Sequence, residues 1–155
     1  MTTATAPSET TPSFKITRDW ILAGHAVFTV HNAAGKHYTY RVIRKAEDFQ
    51  PIRYFISLLG DSETYFYVGI VDPETLGVRL TKKSRFTKET TAYRVAVWAL
   101  ALVAAGRGLP AGYGLNSAGR CGRCGRELTH PDGIDAAGYR HGYGPECWKI
   151  ITEGR

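Results

Sequence analysis

The clearest chemistry in this chain belongs to Cys121, Cys124 and Cys147, its only cysteines, all in the last quarter of the sequence. In Cys121-Gly122-Arg123-Cys124-Gly125 the Cys-x-x-Cys step sets two sulfurs on one tight turn. The glycine after it lets the backbone fold back beneath an ion, the shape of a zinc knuckle. Cys147 follows Gly144-Pro145-Glu146, where Pro145 suits the first turn of a helix. This pattern predicts Zn²⁺ held by three thiolates. Structural zinc takes four donors, and two histidines lie between Cys124 and Cys147. His141, six residues before Cys147, is the preferred fourth ligand. His130 precedes Pro131 in an expected turn and stands second. Asp132 and Asp135 are hard oxygen donors and suit a thiolate-rich site less well.

Competing chemistries lack their partners. A redox Cys-x-x-Cys belongs in a thioredoxin-like βαβ pattern, which does not surround Cys121. An odd cysteine count argues against a disulfide framework. Arg120, not proline, precedes Cys121, and neither His-x-Glu nor His-Glu-x-x-His occurs, so the zinc deaminase and metalloprotease signatures are missing. No phosphate loop, nucleophile elbow or acid–base pair accompanies the cysteines. The chain does not read as an enzyme; the alternative, a small zinc enzyme such as a nuclease, would need an open coordination site and a nearby base.

The elements that must position these residues follow from pattern. After Met1, residues 2–13 are Thr, Ala, Pro and Ser with Glu9 as the one charged side chain, so 1–13 reads as a disordered tail without the basic start or apolar stretch of a signal peptide. The longest apolar run, Val95 to Ala105, is too short for a bilayer, so we expect a cytoplasmic protein with no membrane partner. Residues 14–106 read as an antiparallel β meander with strands at 26–30, 38–43, 53–59, 64–71 and 77–81. Asn32 and Gly35 mark a hairpin between the first two, and His25, His31 and His37 fall on or beside strands. One helix follows, capped by Thr87 or Thr90 and stopped by Gly106. Its apolar residues run nearly all round, so most of it should be covered. The fold class is α+β, a sheet packed by one apolar helix. Residues 107–118 read as a linker, and 119–155 as a small zinc-finger-like module whose terminal helix would dock on the body through Trp148 and Ile150.

Charge is uneven. The chain carries +6 overall. Residues 14–110 hold fourteen Lys and Arg against eight Asp and Glu, whereas 111–155 hold six against five. The basic surface therefore belongs to the body, which suggests an acidic partner. Lys82, Lys83, Arg85 and Lys88 fall within seven residues between the last strand and the helix, a spacing able to neutralise phosphates beside helix amides. The second strand interleaves Arg41 and Arg44 with tyrosines. Its alternation puts Tyr38, Tyr40 and Val42 on one face and His37, Thr39 and Arg41 on the other. Arg120, Arg123 and Arg126 decorate the knuckle.

Taken together, Gly119-Arg120-Cys121-Gly122-Arg123-Cys124-Gly125-Arg126-Glu127-Leu128-Thr129 and Gly142-Tyr143-Gly144-Pro145-Glu146-Cys147 resemble a family of short proteins of unknown function common in bacteriophage and prophage genomes. That family carries a C-terminal Gly-Arg-Cys-x-x-Cys-Gly-Arg-x-Leu-Thr…Gly-x-Gly-Pro-x-Cys module. The likeness spans residues 119–147 and, less specifically, the aromatic strands and apolar helix before them. It implies a zinc-binding phage accessory protein without supplying an activity. Its members have a shorter loop and no regular histidine matching His130 or His141, which leaves open a fourth donor from the body or a site with only three protein ligands.

Two functions follow as expectations. The first is a phage-type accessory protein that binds nucleic acid, DNA ahead of RNA, through the basic body in the host cytoplasm. The second is an adaptor or inhibitor acting on a host or phage protein, with a purely structural zinc.

Overall fold

The computed structural model describes residues 16–117, 120–128 and 142–153, so the expected tail at 1–13 lies outside the described residues. A single helical turn, α1 (Arg18–Ile21), is capped by the Thr17 side chain, which accepts from the Trp20 amide. Strands β1 (His25–Asn32), β2 (His37–Lys45), β3 (Arg53–Leu59), β4 (Tyr65–Val71) and β5 (Val78–Arg79) follow as a meander. Then come α2 (Thr91–Ala104), β6 (Tyr113–Ser117) and α3 (Pro145–Glu153). The strands make one antiparallel sheet in the order β5-β4-β3-β2-β1-β6. This is the α+β class expected.

The hairpin forms where Asn32 and Gly35 predict it. The Asn32 side-chain oxygen accepts from the amides of Ala34 and Lys36, both at 3.0 Å, the local bonding that favours Asn in turns. Alternation along β2 partitions its faces as its pattern dictates: Tyr40 and Val42 are buried, while His37 is exposed and Thr39 and Arg41 half-buried on the other side. Between β3 and β4 the register shifts, so that Ile56 faces Gly69 and Ser57 faces Tyr67. Val68 is the extra residue. This bulge lets both Val68 and Val71 reach the core.

Helix α2 lies over the buried face. Ala92, Ala96, Ala99, Leu100 and Val103 are its buried residues, a stripe of small side chains that lets backbone approach sheet. Thr91, Arg94 and Ala101 stay exposed, so cover is one-sided and less complete than the composition of the helix suggests. Its end is a Schellman arrangement: Gly106 N–H donates to Val103 O at 3.0 Å and Arg107 N–H to Leu102 O at 2.9 Å.

The Tyr40 hydroxyl, buried and raised above its ordinary acidity range chiefly by burial, donates to Ala92 O at 2.7 Å and ties sheet to helix. Tyr40→Phe keeps the ring and removes this bond. We expect a loss of about 1 kcal/mol in chemical denaturation, within the usual net worth of a buried hydrogen bond.

The expected linker at 107–118 is not one throughout. Tyr113–Ser117 adds to the free edge of β1, pairing Thr29 with Asn116 and Val30 with Leu115. Asn116 Nδ2 and His31 Nε2 meet at 2.9 Å across this pair. The open edge of β1 supplies a partner that outweighs the poor strand propensity of a Gly- and Asn-containing segment.

Candidate metal centre

The knuckle is built by backbone. Cys121 N–H donates to Arg126 O and Gly125 N–H to Cys121 O, both at 2.9 Å, and Arg120 pairs with Glu127 in an antiparallel bridge. The turn aims amides at sulfur: Arg123 N–H points at Cys121 Sγ from 3.4 Å. Cys147 enters from the first turn of α3, and Arg123 Nη1 reaches its Sγ at 3.5 Å. The three Sγ atoms all lie within 4.8 Å of one another. A tetrahedral ion with metal–sulfur bonds of about 2.3 Å holds its sulfurs about 3.8 Å apart, so this set is spaced to close on one.

The surroundings push two of the thiols in opposite directions. Burial alone would raise the Cys121 thiol, yet amides of Gly144, Cys124 and Arg123 directed at its sulfur bring it below its ordinary value. Burial pushes the Cys147 thiol up to about 11, with Arg123 opposing. All three cysteines are free of disulfides. The donors thus fit a soft or borderline metal ion. Sequence and structure agree on Cys121, Cys124 and Cys147, whereas His141 and His130, with Asp132 and Asp135, lie outside the described residues.

The module is docked on the body through contacts the sequence pattern did not reveal. Gly142 O accepts from Trp20 Nε1 at 2.9 Å and from Gly122 N–H at 3.1 Å. His25 N–H donates to Gly122 O at 2.8 Å. Gly24 holds φ +142°, and a Cβ there would stand 2.6 Å from Arg123 O, so no other residue fits this approach. Tyr143 packs against both the body core and the cysteine cluster. Of the two residues expected to dock the terminal helix, Trp148 stacks on Tyr143, ring centres 6.0 Å apart, while Ile150 stays half exposed.

No known protein family, curated protein or solved structure matches this chain.

The basic residues divide between two places. Lys82, Lys83, Arg85 and Lys88 are exposed in the segment joining β5 to α2. This segment follows the edge of β4, with Arg85 N–H donating to Tyr67 O at 3.1 Å and its guanidinium 5.5 Å from the Phe66 ring. Arg41 lies on the face of the sheet that α2 leaves open. It crosses over small Ser57, its register partner on β3, and stacks 3.9 Å from the Tyr65 ring of β4. Arg53, Phe55 and Tyr67 continue the same face, the two rings 6.1 Å apart. The Tyr67 hydroxyl meets Thr81 Oγ1 at 3.0 Å and brings the start of the lysine turn to this side. Arg44 pairs with Tyr54 on the opposite parity and sits exposed at the end of β2.

Among the described residues both ion pairs engage Glu47, with Lys45 and Arg53. Arg41, Arg44, Lys82, Lys83, Arg85 and Lys88 have no carboxylate within ion-pairing distance there. At the knuckle end His25 is lowered, first by burial and then by Arg41 and Arg120 beside it, while Arg120 Nη1 is anchored on Gly125 O at 2.9 Å. Among the described residues no helix is long and apolar enough to cross a membrane.

Proposed function

We propose that the protein is a zinc-stapled nucleic-acid-binding accessory protein. Cys121, Cys124 and Cys147 hold Zn²⁺ with His141 as fourth donor, and the open face of the sheet meets the sugar–phosphate backbone. The observation that carries this reading is the outward face of the sheet, which α2 leaves open among the described residues. Its outward strand residues include Arg41, Lys45, Arg53 and Arg79 and no Asp or Glu. Guanidinium planes on rings offer both charge and a flat surface on which bases stack. The lysine turn at 82–88 extends the positive rim. A phage accessory role rests on the resemblance of residues 119–147.

Fluorescence anisotropy with labelled single- and double-stranded DNA and RNA tests it. We expect binding at 50 mM salt that weakens roughly tenfold to a hundredfold by 200 mM, the loss for about two to four phosphate contacts. Arg41→Gln combined with Lys82→Gln and Lys83→Gln should flatten that slope while leaving melting unchanged. No retention of any nucleic acid at low salt would overturn the reading.

One observation favours the adaptor instead. Phe49 is fully exposed at φ +62° on the β2–β3 loop, with Ile52 also exposed beside it, the display of a protein-docking side chain. On that reading Phe49→Ser removes capture of a protein partner and leaves nucleic-acid affinity alone.

A further inference from the structure

Where the β1–β2 hairpin meets the start of α2, the fold leaves an open cleft of about 460 Å³, a size typical of small-ligand sites. It lies mainly on the helix side of the sheet and shares no residue with the metal centre; among its lining residues His31, the register partner of His37, belongs to the face carrying Arg41. Helix α2 presents Thr91, Arg94, Val95 and Trp98 to it, the i, i+3, i+4, i+7 stripe of one helix face. The hairpin supplies Lys36 and Tyr38 from the other side. Strand β6 brings Tyr113 across the mouth, its ring 5.0 Å from Trp98 in an edge-to-face pair.

The lining has two characters at once. Tyr38, Trp98 and Tyr113 are three rings around one space, and Tyr113 keeps 48% of its surface exposed. Lys36 and Arg94 are exposed cations, and no Asp or Glu lines the cleft. Lys36 Nζ stands 6.0 Å from the Tyr38 ring centre, so charge and ring are adjacent. The beginning of α2 adds to the positive potential. Thr90 makes no side-chain cap there, its hydroxyl instead accepting from Thr87 N–H at 3.1 Å, which leaves first-turn amides for an anion.

We propose that this cleft binds a single nucleotide unit, its flat base among Tyr38, Trp98 and Tyr113 and its phosphate against Lys36, Arg94 and the start of α2. Charge complementarity selects the phosphate, and the rings select a planar aromatic group. That chemistry is shared by a free mononucleotide and by the phosphorylated end of a strand. The inference does not depend on the open face binding nucleic acid.

Calorimetric titration of the full-length, zinc-loaded protein tests it. The probes are the nucleoside 5′-monophosphates, the matching nucleosides, inorganic phosphate, and one short oligonucleotide with and without a 5′-phosphate. We expect saturable binding of a monophosphate, with nucleoside and phosphate alone each at least about tenfold weaker. Lys36→Gln and Arg94→Gln should each weaken it about tenfold, and Tyr113→Ala comparably, at unchanged melting temperature. Arg41→Gln should leave it unaltered. Tighter binding of the free nucleotide assigns the cleft to a small molecule; tighter binding of the phosphorylated oligonucleotide assigns it to a strand terminus. No saturable nucleotide binding, equal binding of nucleosides, or indifference to all three substitutions would overturn the proposal.

Discussion

Purified without chelator, the chain should carry one zinc ion per molecule, and Cys121→Ser or Cys147→Ser should carry none. The expected effect is large because, among the described residues, the module's own buried cluster is small. It is Cys121, Leu128 and Cys147, with Tyr143 packed against it, so two of these three are the candidate ligands. Burying one leucine stabilises by about 1.5–3 kcal/mol, whereas ordering each residue of the module costs about 1–2 kcal/mol. A structural zinc contributes about 10–16 kcal/mol of apparent binding free energy at neutral pH, which is enough to reverse that balance. Chelation should therefore expose amides 120–128 and 142–153 to rapid hydrogen exchange. The central strands β2 and β3 should keep their protection. Loading must displace the proton of the Cys147 thiol, held near 11 without a cation, so affinity should fall as pH drops. Cobalt substitution counts the thiolates in the visible spectrum, and His141→Ala should alter that spectrum and weaken binding where His130→Ala does not. A metal-free protein with an intact module, or one indifferent to Cys147→Ser, would sink the assignment.

What could be read from the residues was local. Asn32 and Gly35 announce a hairpin because an Asn side chain bonds amides two and four residues on. The Cys-x-x-Cys step announces a turn that gathers thiols, and alternation in β2 announces which tyrosines are inside. What escaped is long-range. Nothing around Trp20 indicates that its indole will bond a carbonyl 122 residues away. Tyr113–Ser117 becomes a strand only because β1 has an unpaired edge. Arg41 meets Tyr65 across an intervening strand, a contact fixed by the small size of Ser57 and the register of three strands. These depend on which elements become neighbours, and composition carries no record of that.

The largest effect outside the ligands is expected at the seam between Trp20 and Gly122. The indole of Trp20 is 1% exposed, so it has no room to retreat. A Cβ on Gly122 would stand 2.5 Å from Trp20 Nε1 and 2.7 Å from its Cδ1, distances no side chain tolerates. Gly122→Ala must therefore push the knuckle off the indole, breaking the bonds from Trp20 to Gly142 O and from His25 to Gly122 O. We expect a loss of about 1–3 kcal/mol, the range for overpacking a close contact. Trp20→Ala instead removes a large core side chain and should cost about 3–5 kcal/mol. Gly108→Ala is the control, with nothing within 4 Å of the added carbon, and should stay within a few tenths of a kcal/mol of the parent. The decisive measurement is the double variant. Both changes abolish one shared contact, so their costs should fall short of the sum by about 1 kcal/mol or more. Zinc should remain bound in Gly122→Ala, because the three cysteines keep their own turn and helix. Strictly additive costs, or a Gly122→Ala protein as stable as its parent, would mean that module and body fold without reference to each other.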